Sequence, residues 1–102
     1  MQNPESEAIV IRFFEALALL KRARVIRGVQ TFTRRYGINR RNLYLLQKDP
    51  SRDIFQVSWL SRLVADYGVS AEWLLLGSGD SGIDPDTVPN RAKRLHEKSK
   101  PL

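Results

Sequence analysis

The chain has 102 residues, of which 42% are hydrophobic and 27% charged, a composition typical of one globular domain of ordinary size. It carries a formal net charge of +6 and contains one histidine and no cysteine, which excludes disulfides, thiolate metal sites and histidine-based catalytic pairs. We therefore expect no enzyme, no metal and no cofactor. An anionic partner is favoured by the charge, and a cytoplasmic location by the absence of cysteine.

A first helix is predicted from an N-cap at Ser6 to about Arg22. Its apolar residues recur at helical spacing between Ile9 and Leu20, in a stripe broader than a lone surface helix needs. We expect this helix to form the centre of the core, and part of it could face a second subunit. The apolar stretch is shorter than the roughly 20 residues that span a bilayer, so no membrane association is expected.

The first of two short, closely spaced helices is predicted to start near Gly28 or Val29 and to stop at Tyr36. Phe32 and Tyr36 lie four residues apart and therefore on one face. Gly37 follows, a residue that readily adopts the left-handed conformation in which helices end. The sequence therefore predicts a tight break at this glycine.

The second short helix is predicted over about 40–48, with Asn39 as its cap. Leu43 and Leu46 would form its buried face. The residues left facing outward are mostly basic: Arg40, Arg41, Tyr44, Leu45 and Lys48. An apolar back and a basic front, on a helix introduced by a glycine turn, are typical of a helix-turn-helix unit, whose second helix enters the major groove of DNA.

The positive charge is concentrated around these two helices. From Lys21 to Arg52 the chain has ten basic residues and one acidic residue, a net charge of +9. Since this exceeds the charge of the whole chain, the remainder must be acidic on balance. A basic surface centred on the proposed reading helix is the pattern expected of a nucleic-acid-binding protein.

Two further helices complete the predicted all-α domain. Asp53 and Gln56 fit a capping box for a fourth helix, which Gly68 would end. Ser70 would cap a short fifth helix, which Gly77 would end. No sustained alternation of apolar and polar residues predicts a strand.

The domain is predicted over residues 6–77, and residues 78–102 are predicted to be a flexible, disordered tail. The tail is rich in turn-forming and charged residues and has too little apolar surface to offset the entropy of ordering it. Two other roles stay open for it: a basic arm that adds non-specific DNA affinity, or a segment that folds on binding a protein partner.

Two segments of the sequence together resemble a known family. Phe32–Gln47 follows a helix–Gly–apolar–cap–helix pattern, and in Val69–Gly77 a Val-Ser start leads to Trp-Leu-Leu and then Gly. Over roughly residues 9 to 77 the chain is similar to the phage-repressor-like helix-turn-helix domain (Cro/repressor-type, also called XRE-type). The resemblance implies a five-helix, lambda-repressor-like fold that binds two-fold sites in double-stranded DNA as a homodimer, through a surface on the first or last helix.

Base reading is predicted for the outward side of the second motif helix. The family's first reading positions correspond to Arg40 and Arg41, and a later base-facing position corresponds to Leu45. An arginine can pair with O6 and N7 of guanine, and a leucine can pack on a thymine methyl group. Tyr44 lies on the same side of the helix and is also predicted to read bases.

Phosphate contacts are predicted around that helix, where each neutralised phosphate releases a counterion. Three positions depart from the family: Val29 stands where Gln is frequent, Thr33 where Ala is usual, and Gln47 where Glu is frequent. The hydroxyl of Thr33 then needs a hydrogen-bond partner inside the fold. The predicted phosphate-contacting residues are Gln30, Arg34, Arg35, Asn42, Lys48, Ser51 and Arg52.

The sequence therefore predicts a sequence-specific regulator of transcription that binds double-stranded DNA. An alternative is a protein-interaction module on the same fold, antitoxin-like or an adaptor, with weak or non-specific nucleic-acid binding. A third reading is non-specific binding of nucleic acid, RNA included, although the exposed aromatic residues of single-strand platforms are lacking.

Overall fold

The computed structural model describes residues 3–83, which form five helices and no strand. The predicted all-α class is thus confirmed. The predictions made for residues 84–102, including a protein partner for the tail, lie outside the described residues. The helices are α1 (Pro4–Arg22), α2 (Val29–Tyr36), α3 (Arg40–Lys48), α4 (Val57–Tyr67) and α5 (Ala71–Leu76).

α1 begins earlier than predicted. Asn3, not Ser6, is its N-cap: the Asn3 side-chain oxygen accepts the backbone N–H of Ser6 at 2.8 Å. Pro4 occupies the first helical position, where its fixed φ suits the helix and its missing N–H has no cost. The prediction of a cap at Ser6, and of a domain starting there, was therefore wrong.

The core surrounds α1, as predicted. Its inward side carries five buried residues, one of which contributes the aromatic ring of Phe13. The centroid of that ring is 5.7 Å from Phe32 of α2, 5.3 Å from Phe55 and 5.9 Å from Trp59 of α4. These aromatic contacts join three parts of the chain at one residue.

The break between α2 and α3 has the predicted conformation. Gly37 adopts φ 64°, and the N–H of Ile38 donates to the carbonyl of Thr33 at 2.9 Å. Ile38 is partly buried against the core. The buried hydroxyl of Thr33 has the partner it needs, because it donates to the carbonyl of Gln30 at 3.2 Å.

α4 begins at Val57, and the predicted capping box of Asp53 and Gln56 was wrong. Gln56 itself is the N-cap, without a side-chain hydrogen bond. Phe55 precedes the helix and packs its ring 5.2 Å from that of Trp59 and against Phe13. Before the helix begins, the Phe55 ring is partly buried against the core, and this packing takes the place of a cap hydrogen bond.

The folded unit continues past Gly77, where the predicted domain ended. The N–H of Ser70 donates to the carbonyl of Ser81 at 2.9 Å, and Ile83 is buried in the core. The turn-rich composition of this stretch did not predict that the apolar residue at its end, Ile83, is buried. The boundary predicted at Gly77 was therefore too early, by at least the six residues up to Ile83.

α5 packs against α1 and α4, and a side chain from α1 holds its end. Arg12 Nε donates to the carbonyl of Leu74 at 2.8 Å and Nη2 to that of Leu75 at 3.1 Å. These carbonyls lie in the last turn of α5, where helical partners are lacking. Among the helices of residues 3–83, none has the length and apolar character to cross a membrane.

Arg12→Met should lower the free energy of unfolding by about 1–3 kcal/mol, because it removes charge-assisted hydrogen bonds to two carbonyls. Arg22→Met is the control, an exposed arginine on the same helix, with an expected cost under about 1 kcal/mol. Urea unfolding followed by circular dichroism measures both. Equal losses would contradict the role given to Arg12.

Candidate nucleic-acid interface

The cap of α3 and its buried residues determine which side of the helix is exposed. The side-chain oxygen of Asn39 accepts the N–H of Asn42 at 3.0 Å, as predicted for the cap. Leu43 and Leu46 are fully buried, also as predicted. Leu45 is partly buried at the edge of the helix, which leaves less of it for contact than was expected. The exposed side carries Arg40, Arg41, Tyr44 and Lys48.

An open cleft of about 390 Å³, here called the α2–α3 cleft, lies between the start of α2 and this exposed side. Gln47, which was not predicted as a site residue, lines it because its position returns to the side of Arg40 after two helical turns. Its amide both donates and accepts hydrogen bonds, as base edges require. The lining residues are Val29, Gln30, Arg40, Arg41, Tyr44 and Gln47.

Within residues 3–83, neither arginine of α3, Arg40 or Arg41, has a hydrogen-bond or salt-bridge partner. Each guanidinium therefore keeps all five N–H donors for a ligand. By contrast, Lys48 is engaged within the helix, since its Nζ lies 4.9 Å from the ring centroid of Tyr44. This cation–π contact keeps a positive charge close to the exposed side of α3.

A second cleft, here called the α3–α4 cleft, has a volume of about 320 Å³ and lies on the other flank of α3. Asn42, a predicted phosphate contact, lines it. Gln56, Ser58 and Arg62 of the α4 side line it as well, and sequence reasoning missed all three as site residues. Their contribution depends on how α4 lies beside α3, and no local pattern in the sequence predicts the relative position of these two helices. A cationic side chain beside amides and a hydroxyl suits an anion such as phosphate.

Ser51 and Arg52 follow the end of α3, but both interact with the acidic side chain of Asp49. The hydroxyl of Ser51 donates to Asp49 Oδ1 at 2.6 Å, and its N–H donates to the same oxygen at 3.1 Å. These hydrogen bonds, and more weakly the charge of Arg52, lower the pKa of Asp49. A phosphate bound to Ser51 or Arg52 would have to compete with the Asp49 carboxylate. Ser51 and Arg52 are therefore the least favourable of the predicted phosphate-contacting residues.

Arg34 and Arg35 occupy the last turn of α2 and are exposed. The α2–α3 cleft adjoins the first residues of this eight-residue helix, which is about 12 Å long. Both arginines therefore lie at the end of α2 that is away from the cleft. The guanidinium of Arg35 lies 5.4 Å from the ring centroid of Tyr36 and 5.8 Å from that of Tyr67. The structure thus places Arg35 with α4 rather than with the arginines of α3.

A hydrogen bond between Tyr36 and Asp66 joins α2 to α4. The hydroxyl of Tyr36 donates to Asp66 Oδ2, and Arg62 lies 5.2 Å from the centroid of the tyrosine ring. Burial raises the pKa of the Tyr36 hydroxyl, and the hydrogen bond to Asp66 raises it further. The neutral, proton-donating form is therefore the one that holds α2 in place.

No family model matches the sequence, and no curated protein or solved structure is significantly similar to the chain. The resemblance to the Cro/repressor-type domain stays a prediction. In residues 3–83, no group of three or more His, Cys, Asp or Glu side chains is arranged to hold a metal ion.

Tyr36→Phe should lower the free energy of unfolding at pH 7 by about 1–3 kcal/mol, because it leaves Asp66 without this donor. The folded pKa is raised, so the contribution is complete below the ordinary value of about 10 and is lost as the pH rises above it. Urea unfolding between pH 7 and 11 should show wild type and variant converging. A gap that stays constant with pH would contradict this assignment. The control is Tyr44→Phe, an exposed tyrosine of α3.

Proposed function

We propose that this protein is a cytoplasmic, sequence-specific regulator of transcription, of the Cro/repressor type, that places α3 in the major groove of double-stranded DNA. The observation that carries the proposal is a pair of guanidinium groups, Arg40 and Arg41, that lie on the exposed side of α3 and have no partner among residues 3–83. Unpaired, closely spaced positive charges repel one another and weaken a fold. They are advantageous when an anionic ligand binds them.

Arg40 and Arg41 lie in the first turn of α3, the part of a reading helix that contacts base edges in helix-turn-helix proteins. Each can pair with O6 and N7 of one guanine, a contact worth about 1–3 kcal/mol of discrimination. Tyr44 and the exposed edge of Leu45 follow one helical turn later, where an aromatic or aliphatic surface can pack on a thymine methyl group.

Phosphate contacts would flank this reading surface. On one side, Gln30 lies at the start of α2, whose N–H groups are free of a side-chain cap. On the other, Asn42 shares the α3–α4 cleft with Arg62, whose charge favours an anion. The net charge of +9 between residues 21 and 52 supports affinity that falls steeply with salt.

The proposal predicts that a selection from randomised duplexes will return a short motif that contains guanine. Arg40→Ala and Arg41→Ala should each relax the preference at one base position, by about 1–3 kcal/mol. Arg34→Ala is the matched control, an exposed arginine at the far end of α2. It should lower affinity evenly for all sequences and reduce the salt slope by about 0.9.

Different failures of this experiment have different meanings. Uniform weak binding to all duplexes would replace the proposal with non-specific nucleic-acid binding, and the absence of binding at low salt would favour a protein-interaction module. If the three alanine variants behave alike, α3 does not read bases. All three positions are exposed, so unchanged thermal unfolding should accompany each result.

A further inference from the structure

The α3–α4 cleft contains one charged side chain, Arg62, and the acidic residue best placed to pair with it is engaged elsewhere. Arg62 and Asp66 lie four positions apart on α4, where side chains of opposite charge come within reach of each other. Nevertheless, Arg62 has no hydrogen-bond or salt-bridge partner within residues 3–83. The missing ion pair has a cause in the structure.

That cause is Tyr36, which contacts both side chains. Its hydroxyl donates a hydrogen bond to Asp66 Oδ2, and its ring centroid lies 5.2 Å from the guanidinium carbon of Arg62. One tyrosine therefore holds the carboxylate with its hydroxyl and the guanidinium with its ring. Because the two groups are bound by different parts of the same side chain, neither is left to bind the other.

The consequence is a positive charge that stays available in the cleft. A cation–π contact leaves the charge of a guanidinium in place, whereas an ion pair with a carboxylate would neutralise it. Arg62 is exposed and lines the cleft, while Asp66 is half-buried and does not. Among residues 3–83, no acidic side chain lines the cleft. An anion that enters it therefore meets attraction from Arg62 without a competing carboxylate on the wall.

The other polar side chains of the cleft suit a phosphate group. Asn42 contributes an amide from α3, and Ser58 contributes a hydroxyl from the first turn of α4. Both are hydrogen-bond donors, and a guanidinium beside them provides charge-assisted donors for phosphate oxygens. Because Asn42 belongs to α3, a phosphate held here would lie directly beside the proposed reading helix.

We propose that Arg62 binds a backbone phosphate of DNA in the α3–α4 cleft, and that Tyr36 is a positioning residue that prevents Asp66 from neutralising it. The source of the phosphate rests on the proposed function, but the site itself is testable without DNA. Tyr36 thus has a second role besides the hydrogen bond that joins α2 to α4.

The first test measures DNA affinity by fluorescence anisotropy, at a temperature where circular dichroism shows every variant folded. Arg62→Gln should weaken binding evenly for all duplexes and reduce the salt slope by about 0.9, since one phosphate contact is lost. Tyr36→Phe keeps the ring but frees Asp66 to pair with Arg62. A phosphate must then displace the carboxylate, so affinity should fall about two- to fivefold.

A second substitution separates positioning from a general effect of charge. Asp66→Asn should restore wild-type affinity in the Tyr36→Phe background and change little in the wild type, because Tyr36 already engages the carboxylate there. An equal gain in both backgrounds would mean that Asp66 merely repels DNA, and would overturn the role of Tyr36. Arg12→Met is the control for lost stability and should keep wild-type affinity. A loss equal to that of Tyr36→Phe would also overturn this role.

The site is tested without DNA by titrating the full chain with pyrophosphate and recording ¹⁵N NMR spectra. The Arg62 Nε–H and Asn42 side-chain signals should shift in the wild type and shift less in Tyr36→Phe, whereas chloride at equal ionic strength should leave them unchanged. These shifts in a protein that does not bind DNA would support the phosphate site and contradict the proposed function. Unshifted signals, together with a wild-type salt slope in Arg62→Gln, would overturn the inference.

Discussion

The packing of aromatic rings around Phe13 is the interaction on which this structure depends. Phe13 is fully buried, and its ring contacts Phe32 on α2, Phe55 in the loop before α4, and Trp59 on α4. The pairs with Phe32 and Phe55 are edge-to-face, and such pairs add to the gain from burial and also fix the angle between the rings. α1 thereby sets the positions of α2 and α4, the two helices that flank α3.

α3 itself contributes little to the aromatic cluster around Phe13 and is held in place by a few local interactions. Asn39 caps its start, Leu43 and Leu46 anchor it in the core, and Tyr36 with Asp66 ties the preceding helix to α4. The rest of its surface is free to carry mutually repelling charges. A rigid base beneath a repulsive surface suits a site whose ligand is a polyanion, because the ligand relieves the repulsion without reshaping the fold.

The features that the sequence predicted are local ones. The stop at Gly37 and the caps at Asn39 and Ser70 depend on residues within one turn, and the burial of Leu43 and Leu46 follows from helical periodicity. The cap of α1 was missed although Asn3 and Pro4 are local signals, but the other errors have non-local causes. Packing of Phe55 moved the start of α4, and the burial of Ile83 extended the domain. The α3–α4 cleft escaped prediction for the same reason: Arg62 becomes part of the site only through the placement of α4.

The hydrogen bonds from Arg12 to the end of α5 have a consequence for how the protein is made. They join residues 62 and 63 positions apart, and α5 also packs on α1. A ribosome releases α1 and Phe32 of α2 early, but the partners of α1 on α4 and α5 emerge only after most of the domain has been synthesised. Until then part of the apolar side of α1 is uncovered. The nascent chain should therefore complete its native core late, after Ile83 has left the exit tunnel.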